Sequence, residues 1–347
     1  MKRFAAVALL AGLSALAHAQ SNVTLFGVLD VAARYTKNGD DKVKSLTNNG
    51  LQSGRFGLRG VEVLGGGLKA GFWLEAGLNP DTGSQSDSAR LWNRRSTISL
   101  IGGFGELRLG RDLTPTFNGY GDYDVFGTNG VADGSKFVTR LGTNVDTNVR
   151  ADNQVSYFLP GGLGGLYGQF SVAPGEGVDG KKYLGGRVGY ADGPLNVSVS
   201  YGRTEVTPLA GTTDDSFDLA SIGASYDLGV VKLTGYFSRS QYADAKNRVA
   251  NLGASMPLGP GSLRLSYVNA SASGRMPSGA SIDKDDATQF AIGYVYDLSR
   301  RSAVYTTVAR VSNDGAAAYV VDRNPALPSP NNGRDSTGFE VGIRHRF

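Results

Sequence analysis

The sequence predicts an all-β protein, a sixteen-stranded antiparallel transmembrane β-barrel with short periplasmic turns, long outer loops and a long third loop folded into the lumen. Three observations predict this fold. Apolar and polar residues alternate with a period of two along most of the chain, which gives each strand one apolar and one polar face. Short Gly, Pro and Asp turns alternate with longer polar segments, as in barrels of the outer membrane. Glycine is also frequent, at 50 of 347 residues, which suits curved strands around an open lumen.

The alternation locates each strand in turn. In the ninth strand, for example, Leu195, Val197 and Val199 alternate with Asn196 and Ser198. About ten residues per strand, tilted by about 40°, rise roughly 25 Å, which is the height of the apolar band of such barrels. An even number of strands also lets both chain ends meet on the short-turn side. The predicted strands span residues 23–35, 53–63, 68–78, 91–101, 106–111, 149–158, 166–173, 182–190, 195–203, 216–227, 230–240, 248–257, 262–271, 287–297, 302–312 and 336–347.

The first residues are predicted to be a secretory signal peptide, residues 1–19. Lys2 and Arg3 form its basic start, residues 4–16 are apolar, and Ala17-His18-Ala19 is an A-x-A cleavage site. The apolar run is too short for a membrane-spanning helix, which needs about 20 residues. The remaining residues 20–347 are predicted to form one barrel domain.

The composition excludes several function classes. The formal net charge of +4 includes two basic residues of the signal peptide, so the mature chain is nearly neutral and is not expected to bind nucleic acid. The chain has no cysteine, which excludes a thiolate metal site. His345 is the only histidine after the signal peptide, and no serine motif accompanies it. The protein is therefore not expected to be an enzyme, and no catalytic residue, cofactor or metal site is predicted.

One segment, residues 112–148, is too long to be an ordinary connection between two strands. It contains five aromatic residues and five aspartates, with only Lys136 and Arg140 as basic residues. An aromatic and acidic loop needs a partly wet surface to pack against, so the lumen is its predicted location. A surface loop over the mouth of the barrel is the alternative.

Arginines of early strands are predicted to face this loop, because an arginine facing lipid costs about 2–4 kcal/mol at the midplane. Arg55 and Arg59 share one face of the second strand. Arg150 shares a polar face of the sixth strand with Asp152, Gln154 and Ser156, which leaves Ala151 outside. Strict alternation along the fourth strand puts Arg94 and Arg95 on opposite faces and favours Arg95 inside.

The chain resembles the Gram-negative general porins, and among them the trimeric porins of betaproteobacteria, along its whole mature length. The resemblance is carried by VTLFGVLD at 23–30, RFGLRG at 55–60, GGGLKA at 65–70, LWNR at 91–94, LGR at 109–111, Arg150 ahead of NQVSY at 153–157, and GIRHRF at 342–347. The segment Val61-Glu62-Val63 departs from the usual pattern at a turn. In this family the third loop faces a ladder of arginines, and the resemblance assigns that ladder to Arg55, Arg94 and Arg150. It places Asp124, Asp122 and Glu75 on the acidic side, and it favours Arg94 over Arg95.

The resemblance implies a water-filled outer-membrane channel for passive diffusion of small hydrophilic solutes and ions, with a mild preference for anions. Two alternatives stay open: a porin specific for phosphate, dicarboxylates or sugars, and a receptor or adhesin barrel with a blocked lumen. The expected partners are two further copies in a homotrimer, with residues 79–88 as the latch, together with outer-membrane lipid and lipopolysaccharide. The terminal Phe347 is expected to be read by the outer-membrane assembly machinery after passage through the periplasm. Acidic clusters at 214–215 and 283–286 leave calcium, bridging to lipopolysaccharide phosphates, as an alternative to the absence of any metal.

Overall fold

The computed structural model describes residues 22–322 and 332–347. The predicted signal peptide lies outside the described residues. Within them the chain forms a closed antiparallel barrel of sixteen strands, β1 to β16, in which each strand pairs with its sequence neighbours and β1 pairs with β16. The predicted fold class is therefore confirmed. No helix in the described part of the chain is long and apolar enough to cross a membrane.

The strands follow the predicted order closely. The second strand consists of two segments that pair with the two halves of β1. The strands are β1 Asn22–Asn38, β2 Asp41–Asn48 and Arg55–Gly65, β3 Leu68–Asn79, β4 Arg95–Gly102, β5 Gly105–Leu113, β6 Arg150–Phe158, β7 Leu166–Ala173, β8 Tyr183–Asp192, β9 Leu195–Glu205, β10 Ser216–Asp227, β11 Lys232–Tyr242, β12 Ala245–Leu258, β13 Gly261–Ser273, β14 Ala287–Asp297, β15 Ser302–Asn313 and β16 Ser336–Arg346.

The period-two pattern has the predicted physical basis. On β9, Val199 and Tyr201 are exposed on the outer face, whereas Ser198 and Ser200 are buried on the inner face. Apolar side chains on the outer face form no hydrogen bonds with water, so this face can contact lipid without losing any. The same alternation repeats around the barrel, and the polar inner face surrounds the lumen.

The first outer hairpin is longer than predicted. β1 continues to Asn38, and Asp41–Asn48 pairs with it before the chain breaks at residues 49–54. The carboxylate of Asp30, on the inner face of β1, accepts hydrogen bonds of 3.1, 3.0 and 2.7 Å from the backbone N–H groups of Gly50, Leu51 and Gln52. These bonds hold residues 50–52 against the inner face of β1. The sequence pattern missed the hairpin because residues 36–48 are mostly polar.

Two other predicted boundaries differ. Residues 241–247 were expected to be a long loop, but β11 and β12 are joined by a tight turn at Ala243 and Asp244, where Ala243 has a φ of 51°. The fourth strand begins at Arg95 and not at residue 91. The later start of β4 affects the site. Because Arg94 lies outside the strand, its side chain does not have to point to the face opposite that of Arg95.

Candidate functional site

A basic wall lines one side of the lumen, on the inner face of β2 to β6 and the loop residues beside them. Its members are arginines whose guanidinium groups contact carboxylates, aromatic rings or backbone carbonyls of the same wall. They are Arg55, Arg59, Arg94, Arg95, Arg108, Arg111 and Arg150. Four carboxylates lie among them, those of Glu75, Glu106, Asp112 and Asp152. Seven arginines against four carboxylates leave an excess of positive charge on this wall.

Glu75 on β3 is the centre of the wall. Its Oε1 accepts a hydrogen bond of 2.6 Å from Nε of Arg94 and one of 3.3 Å from Nη1 of Arg55. Its Oε2 accepts a bond of 3.1 Å from Nε1 of Trp73. The Nε of Arg150 donates to the backbone carbonyl of Arg94 at 2.8 Å. The structure thus brings together Arg55, Arg94, Arg150 and Glu75, four of the predicted site residues.

Arg94 and Arg95 both face the lumen, so the prediction of one on each face is wrong. Arg94 precedes β4, and its N–H donates to the backbone carbonyl of Glu75 at 3.1 Å. Arg95 begins the strand, with its guanidinium carbon 4.4 Å from the ring centre of Trp73 and its Nε 3.5 Å from Asp112. Alternation constrains only residues inside a strand, and Arg94 lies outside it.

The sixth strand also departs from strict alternation. Asn153 has a φ of 56°, and the register between β5 and β6 shifts between Gly110 and Asp112. This irregularity turns Ala151 inward, where it packs with Ala173 and Tyr183. The expectation that Ala151 lies outside is therefore wrong, because the bulge at residues 152–153 puts Ala151 on the same face as Gln154.

The long third loop lies inside the barrel, as predicted. Thr114 caps a short helix, α1 Pro115–Gly121, which packs against β8, β9 and β10. The rest of the loop covers the inner face of the wall opposite the arginines. A Cβ atom on Gly223 would lie 2.0 Å from the ring of Tyr123, so only glycine lets the loop approach β10 this closely. The aromatic side chains of the loop are buried there: Tyr120, Tyr123, Phe126 and Phe137.

Asp122 lies on the exposed surface of the loop, with 55% of its side chain accessible. Its partner is Arg187 of β8, whose Nη1 lies 2.5 Å from the carboxylate. Arg187 also donates to Ser198 at 2.9 Å and to the hydroxyl of Tyr167 at 3.2 Å. Sequence reasoning missed Arg187, although alternation with Tyr183 points it inward.

Asp124 does not line the passage. It is 7% exposed and lies between the loop and the wall. Its two oxygens each accept a 2.9 Å hydrogen bond, from the backbone N–H of Phe126 and of Gly134. Burial, with the nearby charge of Asp133, raises the pKa of Asp124 to about 7. Its described contacts hold two parts of the loop together, and they include none of the predicted ladder arginines.

The acidic outer loops have local roles. Asp283 accepts bonds from the N–H of Gly274 at 2.7 Å and the hydroxyl of Ser281 at 2.8 Å. Asp285 and Asp286 each accept a backbone N–H, from Ala316 and Ala272. Among residues 22–322 and 332–347, no group of three or more His, Cys, Asp or Glu side chains is arranged to hold a metal ion.

Phe347 closes the seam of the barrel on the short-turn side. Its backbone exchanges hydrogen bonds of 3.0 and 3.1 Å with Gly27 of β1. Its ring lies on the outer face directly over Gly27, where a Cβ atom would be 2.2 Å from the ring. The last residue therefore contributes packing to barrel closure as well as a terminal aromatic group.

A sixteen-stranded barrel with an inward loop and a charged inner wall defines an outer-membrane diffusion channel. Residues 5–316 match the Gram-negative porin family, and the chain belongs to that family. It is 37% identical to outer membrane porin protein 32 of Delftia acidovorans, with 100% of this chain and 99% of that protein covered. It is 30% identical to an outer membrane porin protein of Bordetella pertussis, with 100% of both chains covered.

A solved structure has the same fold. The chain is similar to an anion-selective porin from Comamonas acidovorans, with a TM-score of 0.84, 34% identity, and coverage of 94% of this chain and 100% of that one. Family membership and the barrel together make this chain an outer-membrane porin, as the sequence predicted.

Proposed function

We propose that this porin forms a water-filled channel that passes small hydrophilic solutes and ions by passive diffusion and prefers anions. The observation that carries the proposal is the excess of arginines over carboxylates on the wall formed by β2 to β6. Fixed charge at a narrow passage sets ion preference more strongly than the net charge of the whole protein. The similarity to a porin described as anion-selective supports the same preference. The channel needs no cofactor and no energy source.

Within this channel, Arg55, Arg94 and Arg150 attract anions, and Glu75 positions the first two. The carboxylate of Asp122 lies on the loop across the lumen and is paired with Arg187. Because Arg187 neutralises this carboxylate, the electric field in the passage comes chiefly from the arginines of the basic wall. Asp124 is buried in the loop and has no direct role in selectivity in this proposal.

Single-channel recording tests the proposal. The purified protein in a planar bilayer is expected to give stepwise conductance, and its reversal potential in a KCl gradient is expected to show anion preference. Arg55→Ala and Arg150→Ala are each expected to shift the reversal potential towards cations and to raise conductance. Arg310→Ala, on the outer face of β15, is the control and is expected to change neither. Absence of conductance, or unchanged reversal potentials in both pore variants, contradicts the proposal.

Liposome swelling distinguishes general diffusion from specific transport. For a general channel, the swelling rate falls smoothly as solute size increases. A swelling rate that saturates with concentration for one solute, such as phosphate, a dicarboxylate or a sugar, and that exceeds the rates for other solutes of its size, instead identifies a specific porin.

We also propose that three copies assemble through the outer face of the first strands. Val23, Leu25 and Leu29 on β1 are large, apolar and exposed. The loop after β3 lies against the first outer hairpin, where Nδ2 of Asn48 donates to Oδ1 of Asn79 at 3.2 Å and to Oδ1 of Asp81 at 2.9 Å. The mass of the native complex in detergent tests this: a monomeric mass contradicts it.

We propose no catalytic activity. Ser302 and His345 do approach, with Oγ 2.9 Å from Nδ1, on the exposed outer face. Within the described residues no carboxylate or amide side chain hydrogen-bonds the other ring nitrogen, so nothing orients the imidazole as a base. An assay for ester hydrolysis is expected to show no activity above background.

A further inference from the structure

Two arginines lie directly opposite each other on the outer surface of the barrel. Arg239 on β11 pairs in register with Arg248 on β12. Both are exposed, and the exposed apolar residues Phe237 on β11 and Leu252 on β12 lie on the same face, further from the turn that joins the two strands. Like charges directly opposite on neighbouring strands are destabilising. This position therefore favours an anion between the two guanidinium groups.

The protein supplies no carboxylate to either arginine within ion-pair distance among the described residues. Arg239 donates to the side chain of Gln241. The acid beside Arg239 is Asp218, which is bound to Arg203 at 2.8 and 3.0 Å and to the hydroxyl of Tyr201 at 2.7 Å. Arg310, which is also on the outer face, is instead paired with Asp335 at 2.5 Å.

The pair lies at the outer edge of the apolar band. Val230 is in the short turn before β11, on the periplasmic side. From Val230 to Arg239, at about 3.3 Å per residue and a tilt of about 40°, the strand rises roughly 23 Å, close to the band height of about 25 Å. The guanidinium groups are thus at the depth of lipid headgroups in the outer leaflet. Lys246, one position further out on the same face of β12, adds positive charge.

An apolar hollow of about 470 Å³ lies on the outer face of β9 to β12. Phe237 and Ala250, which pair with each other in register, bring its outer edge next to the arginine pair. Its walls include Ile222, Leu233, Phe237 and Leu252, and Gly235 contributes no side chain to it. A hollow of this kind has room for part of an acyl chain. Cation pair and hollow together match an amphiphile with an anionic head and an apolar tail.

We propose that Arg239 and Arg248 bind a phosphate group of an outer-leaflet lipid and that one acyl chain of this lipid occupies the hollow. Two guanidinium groups present paired N–H donors that match phosphate oxygens. The site is separate from the channel, since it faces the membrane and not the lumen.

Native mass spectrometry of the purified full-length protein in detergent tests the proposal, with diphosphorylated lipid A as the probe. The double variant Arg239→Gln, Arg248→Gln is expected to bind it at least about tenfold more weakly, because two charge-assisted contacts are lost. Arg310→Gln is the matched control, an outer-face arginine with its own carboxylate, and is expected to bind like the unchanged protein. Ala250→Leu, which narrows the hollow, is expected to weaken binding severalfold.

Further measurements separate the sources of phosphate and the effect of folding. Dephosphorylated lipid A is expected to bind no better to the unchanged protein than to the double variant, and millimolar inorganic phosphate is expected not to displace lipid A. Arg239→Lys with Arg248→Lys retains the charge but not the forked donors, and it is expected to bind lipid A more weakly than the unchanged protein and more tightly than the glutamine double variant. Equal lipid A binding by the double variant, an equal loss in Arg310→Gln, or displacement by inorganic phosphate overturns the proposal. Conductance of the same proteins reports independently on the channel.

Discussion

The Nε of Arg94 donates to Oε1 of Glu75 at 2.6 Å, and the same oxygen lies 3.3 Å from Nη1 of Arg55. One buried carboxylate therefore fixes two guanidinium groups that carry like charge. Without it, the like charges of Arg94 and Arg55 repel each other with no carboxylate between them. Glu75 thus reduces the net positive charge of the wall by one and fixes the positions of the guanidinium groups of Arg94 and Arg55.

Glu75→Gln is expected to increase anion preference. At the dielectric constant of water, a unit charge about 6 Å from a passing ion contributes about 0.7 kcal/mol, with opposite signs for an anion and a cation. The ratio of anion to cation permeability is therefore expected to change by about 1.4 kcal/mol, which is about tenfold. Reversal potentials in a KCl gradient measure this ratio. Glu205→Gln, in an exposed ion pair with Lys182 at the outer rim, is the control. A shift towards cations in Glu75→Gln contradicts the assigned role.

The anion preference is expected to weaken at high salt. The Debye length falls from about 10 Å at 0.1 M to about 3 Å at 1 M. At 1 M the charges of the arginines are therefore screened before they reach most ions in the passage. The permeability ratio of the unchanged protein, measured at a fixed gradient ratio in both ranges, is expected to approach that of Arg150→Ala at 1 M. A ratio independent of salt would show that size, not charge, selects the ions.

Asp124 is expected to make the stability of the folded barrel depend on pH. Burial raises its pKa to about 7 in the folded state, so the folded protein holds this proton more tightly than the unfolded chain does. This contribution to stability is full below about pH 4 and is lost as the pH rises towards about 7. Asp133 and Lys136 face the same region, and burial lowers the pKa of Lys136 to about 8.

The thermal unfolding midpoint in detergent, at pH 5 and pH 8, measures this contribution. The unchanged protein is expected to be more stable at pH 5, and Asp124→Asn is expected to reduce the difference. Asp122→Asn, on the exposed side of the same loop, serves as the control and is expected to retain it. The same pH difference in Asp124→Asn and in the unchanged protein contradicts the assignment.

Gly27→Ala is expected to weaken closure of the barrel. The new Cβ atom would lie 2.2 Å from the ring of Phe347, so the ring must move, and such overpacking typically costs about 1–3 kcal/mol. Gly71→Ala is the matched control, because its nearest contact is 3.6 Å. The temperature at which the folded band converts to the unfolded band on a detergent gel is expected to fall only for Gly27→Ala. Phe347→Ala is expected to lower it too, and also to reduce the amount of protein assembled in the membrane.

The number and order of the strands and the inward loop could be predicted from the sequence alone. Lipid on one side and water on the other require a period of two, so the outer residues of β9, such as Val199 and Tyr201, are recognisable without a structure. The clustering of Arg55, Arg94 and Arg150 was inferred from the resemblance to a family, since alternation alone favoured Arg95 over Arg94.

The charges that meet in the lumen could be identified only in the folded barrel. Glu75 joins Arg94 because that arginine lies just outside β4, Asp122 pairs with Arg187 on the wall that the loop covers, and Asp124 is buried against the same wall. Pairing between residues far apart in sequence depends on barrel register, on bulges such as the one at Asn153, and on how the loop packs, and none of these leaves a local pattern in the chain.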